Sequence, residues 1–191
     1  MLLIGPPGSG KGTQAERISA RLGIVAISTG DIFRFNVKEQ TPLGIEAKKY
    51  IDAGDFVPDS VTNSMVRDRL AQEDARDGFL LDGYPRTVAQ VEYLDEILAE
   101  TGQQLDVVLQ LTAEDEELVR RLLGRAKETG RSDDNEGVIR HRLELYHTQT
   151  EAVVSRYDER GILTKVDGIG AIDEVTERVL AAIKNGAADL A

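Results

Sequence analysis

Residues 5 to 13 read Gly5-Pro6-Pro7-Gly8-Ser9-Gly10-Lys11-Gly12-Thr13, directly behind a short apolar run, Leu2-Leu3-Ile4. This completes the pattern G-x-x-x-x-G-K. In that pattern the glycines let successive backbone N–H groups turn inward around phosphate oxygens. The lysine brings a mobile positive charge to the outer phosphates. The residues behind it, Thr13-Gln14-Ala15-Glu16-Arg17-Ile18, favour a helix whose positive N-terminal end faces the same anion. The bland alternative is a chance glycine-rich turn. It does not explain why strand, loop, lysine and helix arrive in the required order.

Such a loop belongs between a parallel strand and a helix, and the rest of the chain supplies more of both. Strand-like runs occur at Leu2–Ile4, Val25–Ser28, Phe79–Asp82, Val107–Leu111 and Ile162–Val166. Helical periodicity fills Thr13–Leu22, Pro58–Ala75, Thr87–Thr101, Ala113–Leu123, Glu136–Arg160 and Ile172–Lys184. In the last of these Ile172, Val175, Val179 and Ile183 recur at helical spacing. The alternation predicts an α/β fold with a five-stranded parallel sheet and helices on both faces. Ligands then bind beyond the carboxyl ends of the strands, where the polar motifs fall. Two stretches interrupt the pattern. Residues 29–57 read as helix without a strand, and 124–135 are polar and rich in Gly, Arg and Asp. Both are candidates for moving covers over a site, against the alternative of plain surface excursions. Asn185 to Ala191 reads as a frayed tail.

Composition narrows the function classes. The chain has 191 residues, which suits one domain, and carries a net charge of −11, which argues against a broad nucleic-acid face. There are no cysteines, so disulfides, thiolate catalysis and cysteine-held zinc are all excluded. No apolar run is long enough to span a bilayer, and no leader is expected ahead of the phosphate loop. His141 and His147 read as solvated helix residues, not as a metal pair or a catalytic base.

Three constellations carry chemistry. Phe79-Leu80-Leu81-Asp82 is an apolar strand ending in a carboxylate, placed to support magnesium through water beside a phosphate loop. Gly83-Tyr84-Pro85-Arg86-Thr87 follows, with Gln90 one helical turn on. The arginine suits a phosphate. The Gln90 amide can donate and accept at once and so suits an adenine edge, unless it is only an exposed helix residue. Ser28-Thr29-Gly30-Asp31-Ile32-Phe33-Arg34 repeats the theme after the second strand, with Ser28 or Thr29 as a helix cap and Arg34 as a second cation or a plain solvated charge. Finally Arg125, Arg131, Arg140 and Arg142 surround a glycine-flanked loop in which Asp133 and Asp134 can orient the arginines and help start the next helix. Phosphoryl transfer asks for positioning and charge stabilisation more than covalent help, and several arginines on a closable loop meet that need. A charged surface loop is the competing reading.

One departure in the phosphate loop refines this. Gly12 stands directly after the lysine, where the general pattern has Ser or Thr, and Thr13 comes one later. That ending resembles the nucleoside monophosphate kinases rather than GTPases or motor ATPases. Together GPPGSGKGTQ, STGDIFR, DAGDFVPD, GFLLDGYPRT with Gln90, and GRSDDN followed by RHR resemble the adenylate kinases from Leu3 to about Ile183.

The resemblance implies a P-loop kinase fold, the reaction ATP + AMP ⇌ 2 ADP with Mg2+, and a cytoplasmic monomer that binds no nucleic acid polymer and no membrane. It implies a single domain over 1–191, with a core of 1–28, 58–124 and 136–191, an AMP-binding insertion at 29–57 and a short lid at 125–135. ATP phosphates would lie on Gly8, Ser9, Gly10, Lys11, Gly12 and Thr13, with Arg125 stacking on the adenine and Gly170 touching the same base. AMP would meet Thr29, Arg34, Asp55, Phe56, Val57, Gly83, Tyr84, Pro85, Arg86 and Gln90, with Arg131 and Arg142 bridging the two substrates. Lys11, Arg86, Arg125, Arg131 and Arg142 would be the catalytic cations, and Asp82 would hold Mg2+ through water. A zinc-stabilised lid is excluded by the missing cysteines. Asp55 stands where the contact is usually through backbone, so its charge need not face AMP.

A UMP/CMP kinase is the rival within the same fold. Thr29, Thr87 and Gln90 fit the adenine reading better. A nucleotide-binding switch without catalysis would be expected to lack lid arginines that this chain retains.

Overall fold

In the computed structural model, which describes residues 1–188, five parallel strands form one sheet. They are β1 (Leu2–Ile4), β2 (Val25–Ser28), β3 (Phe79–Asp82), β4 (Val108–Thr112) and β5 (Leu163–Asp167), in the order β2-β3-β1-β4-β5. Alternate residues of a strand point to opposite faces, and here both are apolar. Leu2, Ile4, Leu81 and Val108 enter one core, and Leu3, Leu80, Leu109 and Leu111 the other. That two-sided burial explains the near-continuous apolar runs. Each fully buried Leu or Ile contributes about 1.5–3 kcal/mol, which lets a chain poor in aromatics hold together.

Helices cover both faces: α1 (Lys11–Leu22) and α9 (Ile172–Ala188) on one, α4 (Asp59–Leu70), α5 (Val88–Thr101) and α8 (Glu151–Glu159) on the other. Neighbouring strands β1 and β3 therefore send their following helices, α1 and α5, to opposite faces. That divergence opens a crevice at their carboxyl ends. Between β2 and α4 lie α2 (Thr29–Lys38) and α3 (Pro42–Ala53), and a smaller core joins α6 (Asp115–Thr129) to α7 (Glu136–Leu145) through Leu118, Leu122, Ile139 and Leu143.

Caps set most of the boundaries. Ser28 caps α2 by accepting the Asp31 N–H, Thr41 caps α3 with Pro42 in its first turn, and Thr87 caps α5 through the Gln90 N–H.

Several expected boundaries move. The strands expected at Val107–Leu111 and Ile162–Val166 each begin and end one residue later. The helix expected over Pro58–Ala75 stops at Leu70, and a separate 3₁₀ turn covers Glu73–Ala75. The helix expected to stop at Leu123 runs on to Thr129. Gly124 is tolerated inside it, and Gly130, at φ 64°, ends it with its N–H on the Ala126 carbonyl. Asn135, not Asp133 or Asp134, caps α7. The single helix expected over Glu136–Arg160 is interrupted by a π turn at Tyr146–Thr150. There Tyr146 accepts a hydrogen bond from Gln110, and Thr150 donates to the Arg86 carbonyl. α9 continues through Ala188, past the start of the expected frayed tail. The last three residues of that tail lie outside the described residues.

Candidate active site

The loop between β1 and α1 sets the anchor. α1 has no side-chain cap, and its N-cap, Gly10, sits in the left-handed region at φ 94°. The first N–H groups of the helix are thus left for an anion. Gly8, at φ 86°, lies so close to α6 that a Cβ there would be 3.0 Å from both the Leu118 carbonyl oxygen and Leu122 Cγ. Lys11 Nζ folds back to donate to the Gly5 and Pro6 carbonyls at 2.7 and 2.8 Å. Two polar atoms in this region are buried without a partner among the described residues, Ser9 Oγ and Asp82 Oδ1.

Around Lys11 the cleft is crowded with cations. Arg34, Arg86, Arg121, Arg125, Arg131 and Arg142 all line it, with Gly8, Gly10, Gly12, Thr13 and Asp82. Burial pulls Lys11 down to about 8, partly opposed by Asp82, and nearby Arg86, Arg142 and Arg125 pull the same way. Burial and then Arg142 lower Arg86 to about 10. Arg131 is lowered by burial and by Arg34 and Arg125, and Arg142 by burial against the pull of Asp133. Asp82 is raised by burial, with Lys11 and Arg86 opposing. Cations lowered by burial and by one another mark a place where added negative charge is strongly favoured.

Acidic partners hold some of these arginines in readiness. Arg125 forks onto Asp134, with both contacts at 2.7 Å, and Arg142 pairs with Asp133 at 2.8 Å. Arg34 pairs with Asp31 at 2.6 Å. Arg86 is set by its surroundings: Nε donates to the Gly83 carbonyl at 2.7 Å, and its guanidinium lies 5.3 Å over the Phe56 ring.

The cleft opens at each end into a further pocket. One is lined by Thr29, Arg34, Ile51, Asp55, Phe56, Val57, Thr62, Gly83, Arg86, Gln90 and Arg142. The other is lined by Gly8, Ser9, Gly10, Thr13, Arg121, Gly168, Ile169, Gly170 and Ile172. Of the residues expected from sequence, Tyr84 and Pro85 line an adjoining cavity and not the first pocket. Tyr84 is fully buried, and its hydroxyl donates to Asn63. Arg131 lines the central cleft rather than that pocket. Gln90 is 2 % exposed, which removes the reading of a solvated helix residue. Asp55 turns its carboxylate to His141 at 2.7 Å. Ser132 donates to Asp52 at 2.7 Å, so the 130–135 loop and the insertion touch.

Arg125 lines the central cleft and is absent from the far pocket with Gly170, whereas Arg121 borders both. Arg121 donates to the Gly168 carbonyl at 3.1 Å and pairs with Glu117 at 2.7 Å. Sequence reasoning missed Arg121. The available signal was its position one helical turn before Arg125, visible only if α6 is allowed to run past Gly124.

A parallel sheet with a phosphate loop, a cation-lined cleft and a pocket at either end defines a P-loop nucleotide kinase, a phosphotransferase. Comparison with known proteins narrows the class. The adenylate kinase family model matches residues 3–162. The chain is 81% identical over 184 residues to an adenylate kinase of Pseudarthrobacter chlorophenolicus, covering 96% of each chain. It is 79% identical over 183 residues to that of Renibacterium salmoninarum (96% of this chain, 95% of the relative) and 57% identical over 187 residues to that of Thermobifida fusca (98% and 99%). The chain belongs to the adenylate kinase family, and the UMP/CMP kinase alternative is not favoured.

Proposed function

We propose that this chain catalyses the reversible transfer of the γ-phosphoryl group of ATP to AMP, giving two ADP and so balancing the adenine nucleotides. The observation that carries this reading is one cation-lined cleft that opens into a pocket at each end. ATP lies with its base against Gly168–Gly170 and Arg121, and with its phosphates on Gly8–Thr13. AMP lies in the pocket of Thr29, Phe56, Val57 and Gln90. Arg125 is thereby assigned to the phosphates and Arg121 to the ATP base. Tyr84 and Pro85 shape the floor behind AMP.

An AMP phosphate oxygen attacks the γ-phosphorus, the bond to the β-γ bridging oxygen breaks, and ADP leaves with that oxygen. The attacking oxygen is already anionic, so no side chain is required to remove a proton. Arg34 and Arg86 aim the acceptor phosphate. Lys11, Arg125, Arg131 and Arg142 stabilise charge on the transferring group. The residues fit a magnesium ion, because the unpartnered buried Oδ1 of Asp82 can hold it through a bound water. When bound, the ion neutralises phosphate charge. We take the insertion 29–57 and the segment 125–135 as the covers over AMP and ATP. We also take the chain as a cytoplasmic monomer, with sedimentation at assay concentration as the check. Among the described residues no helix is long and apolar enough to cross a membrane.

The test is to supply MgATP with AMP, CMP or UMP and follow ADP. AMP turns over best; better turnover of CMP or UMP, or none with any monophosphate, overturns the reading.

Lys11 adds a pH signature. Its folded value of about 8 lies below the ordinary 10.5. The unfolded chain therefore holds more protons in that window, and this group makes the ligand-free protein more stable as pH rises from about 8 to about 10.5. Bound phosphates restore the charged form, so ATP binding at pH about 9 takes up a proton. Calorimetry in buffers of differing ionisation enthalpy measures it. Uptake at pH 9 that vanishes in Lys11→Met is the expected result, and no uptake at pH 9 refutes the assignment.

A further inference from the structure

The AMP pocket holds a glutamine whose amide can point only one way. Gln90 Oε1 accepts the backbone N–H of Arg86 at 2.7 Å, and Gln90 Nε2 donates to Asp59 Oδ1 at 2.6 Å. The first neighbour can only donate. The second, a carboxylate, can only accept. Asp59 is itself braced, because its Oδ2 accepts from Thr87 Oγ1 at 3.2 Å, and the same Thr87 oxygen accepts the Gln90 backbone N–H. The first turns of α4 and α5 thus close a small ring of hydrogen bonds around the Gln90 side chain. One N–H and one oxygen lone pair of the amide remain, on a residue that lines the pocket.

Those two groups form a directed pair. An adenine edge offers a donor, the 6-amino group, beside an acceptor, N1. Hypoxanthine and guanine reverse it, with an acceptor at O6 and a donor at N1. A glutamine free to turn over meets either edge. Held at both ends, it meets only the first without leaving a buried group unpaired.

We propose that Asp59 is the positioning residue that sets purine selectivity at the acceptor site, favouring 6-amino over 6-oxo purine monophosphates by forbidding reversal of the Gln90 amide. The inference rests on the reading of this pocket as the AMP site. Without Asp59, reversal costs only the hydrogen bond from the Arg86 N–H, and the charge-assisted bond, the stronger of the two, is gone.

Inosine monophosphate tests this well, since it reverses the edge without the bulk of guanine's amino group. kcat/KM is measured for AMP and for inosine monophosphate with MgATP in the wild type, Asp59→Leu and Asp59→Asn. In Asp59→Leu the AMP-to-inosine ratio falls by about tenfold or more. In Asp59→Asn, whose amide can itself turn to present a donor to a reversed Gln90 while its oxygen still accepts from Thr87, the ratio also falls, by less than in Asp59→Leu. KM for ATP stays unchanged in both. If Asp59→Leu does not fold, Asp59→Ala is read in the same way.

A ratio within twofold of wild type in the apolar variant overturns the proposal. So does an equal fall for both nucleotides, which marks Asp59 as merely structural at the start of α4. The wild-type enzyme separates the two levels of the argument. If it prefers CMP or UMP to AMP, the acceptor-site reading itself fails before any variant is compared. If it prefers AMP and the variants keep the ratio, only the role of Asp59 fails.

Discussion

Replacing Arg86 with alanine lowers turnover of MgATP and AMP by about a hundred- to a thousandfold, the usual cost of removing one preorganised donor from a site of developing charge. Arg86 is chosen because it borders three adjoining spaces: the pocket proposed for AMP, the cation-lined cleft and the cavity lined by Tyr84 and Pro85. Its guanidinium stands ready before any ligand arrives, braced by the Gly83 carbonyl and the Phe56 ring. The fold should survive the change. The main chain of residue 86 is held independently, its N–H by Gln90 Oε1 and its carbonyl by Thr150 Oγ1 at 3.1 Å. The lost cation also repelled Lys11, whose charged form it disfavours. Thermal stability therefore stays level or rises while activity collapses, a trade expected where function crowds like charges together. Steady-state ADP formation beside a melting curve measures both. Turnover within about threefold of wild type would remove Arg86 from the mechanism.

The parts of this molecule legible from sequence are those written in local order. β1, the phosphate loop and α1 follow one another within 22 residues, and each carries its own signal in glycine, lysine or apolar spacing. The same holds for β3 with Asp82 and the Gly83–Arg86 turn. What stayed hidden depends on neighbours distant in the chain. Asp59 meets Gln90 across 31 residues, and Asp55 meets His141 across 86. No periodicity announces such pairs. Arg121 was missed for a different reason. Both Gly124 and Gly130 are possible helix ends, and the choice rests on which one adopts a positive φ. Only Gly130 does. Tyr84 was assigned to AMP because it sits inside a binding motif, yet its ring fills the core while its neighbour Arg86 reaches the cleft. A motif names a stretch of backbone; the direction of each side chain from that stretch is settled by packing.

Gly44→Ala is expected to loosen the 29–57 insertion, the cover proposed for AMP, against the usual rule for helices. Alanine in place of an interior helical glycine normally gains about 0.8–1 kcal/mol. Here α3 lies directly on α2. A Cβ on Gly44 would stand 2.0 Å from the Asn36 carbonyl oxygen, 2.2 Å from its carbon and 2.5 Å from the Val37 nitrogen. These are backbone atoms inside a helix and cannot swing aside, so the helices must separate. That also strains the joint between them, where Thr41 donates to Asn36 Oδ1 at 2.7 Å and accepts the Gly44 N–H at 3.1 Å. Overpacking costs about 1–3 kcal/mol, occasionally more, and the severity of this overlap places it at the upper end, so the clash outweighs the propensity gain. The damage should stay on the acceptor side. KM for AMP rises by about tenfold or more, KM for ATP changes little, and hydrogen exchange quickens in α2 and α3 before the sheet. Gly124→Ala is the control, because among the described residues nothing lies within 4 Å of a Cβ there and it sits inside α6. That variant gains stability from propensity alone. If Gly44→Ala melts at or above the wild-type temperature with an unaltered KM for AMP, close contact between α2 and α3 does not govern the acceptor site.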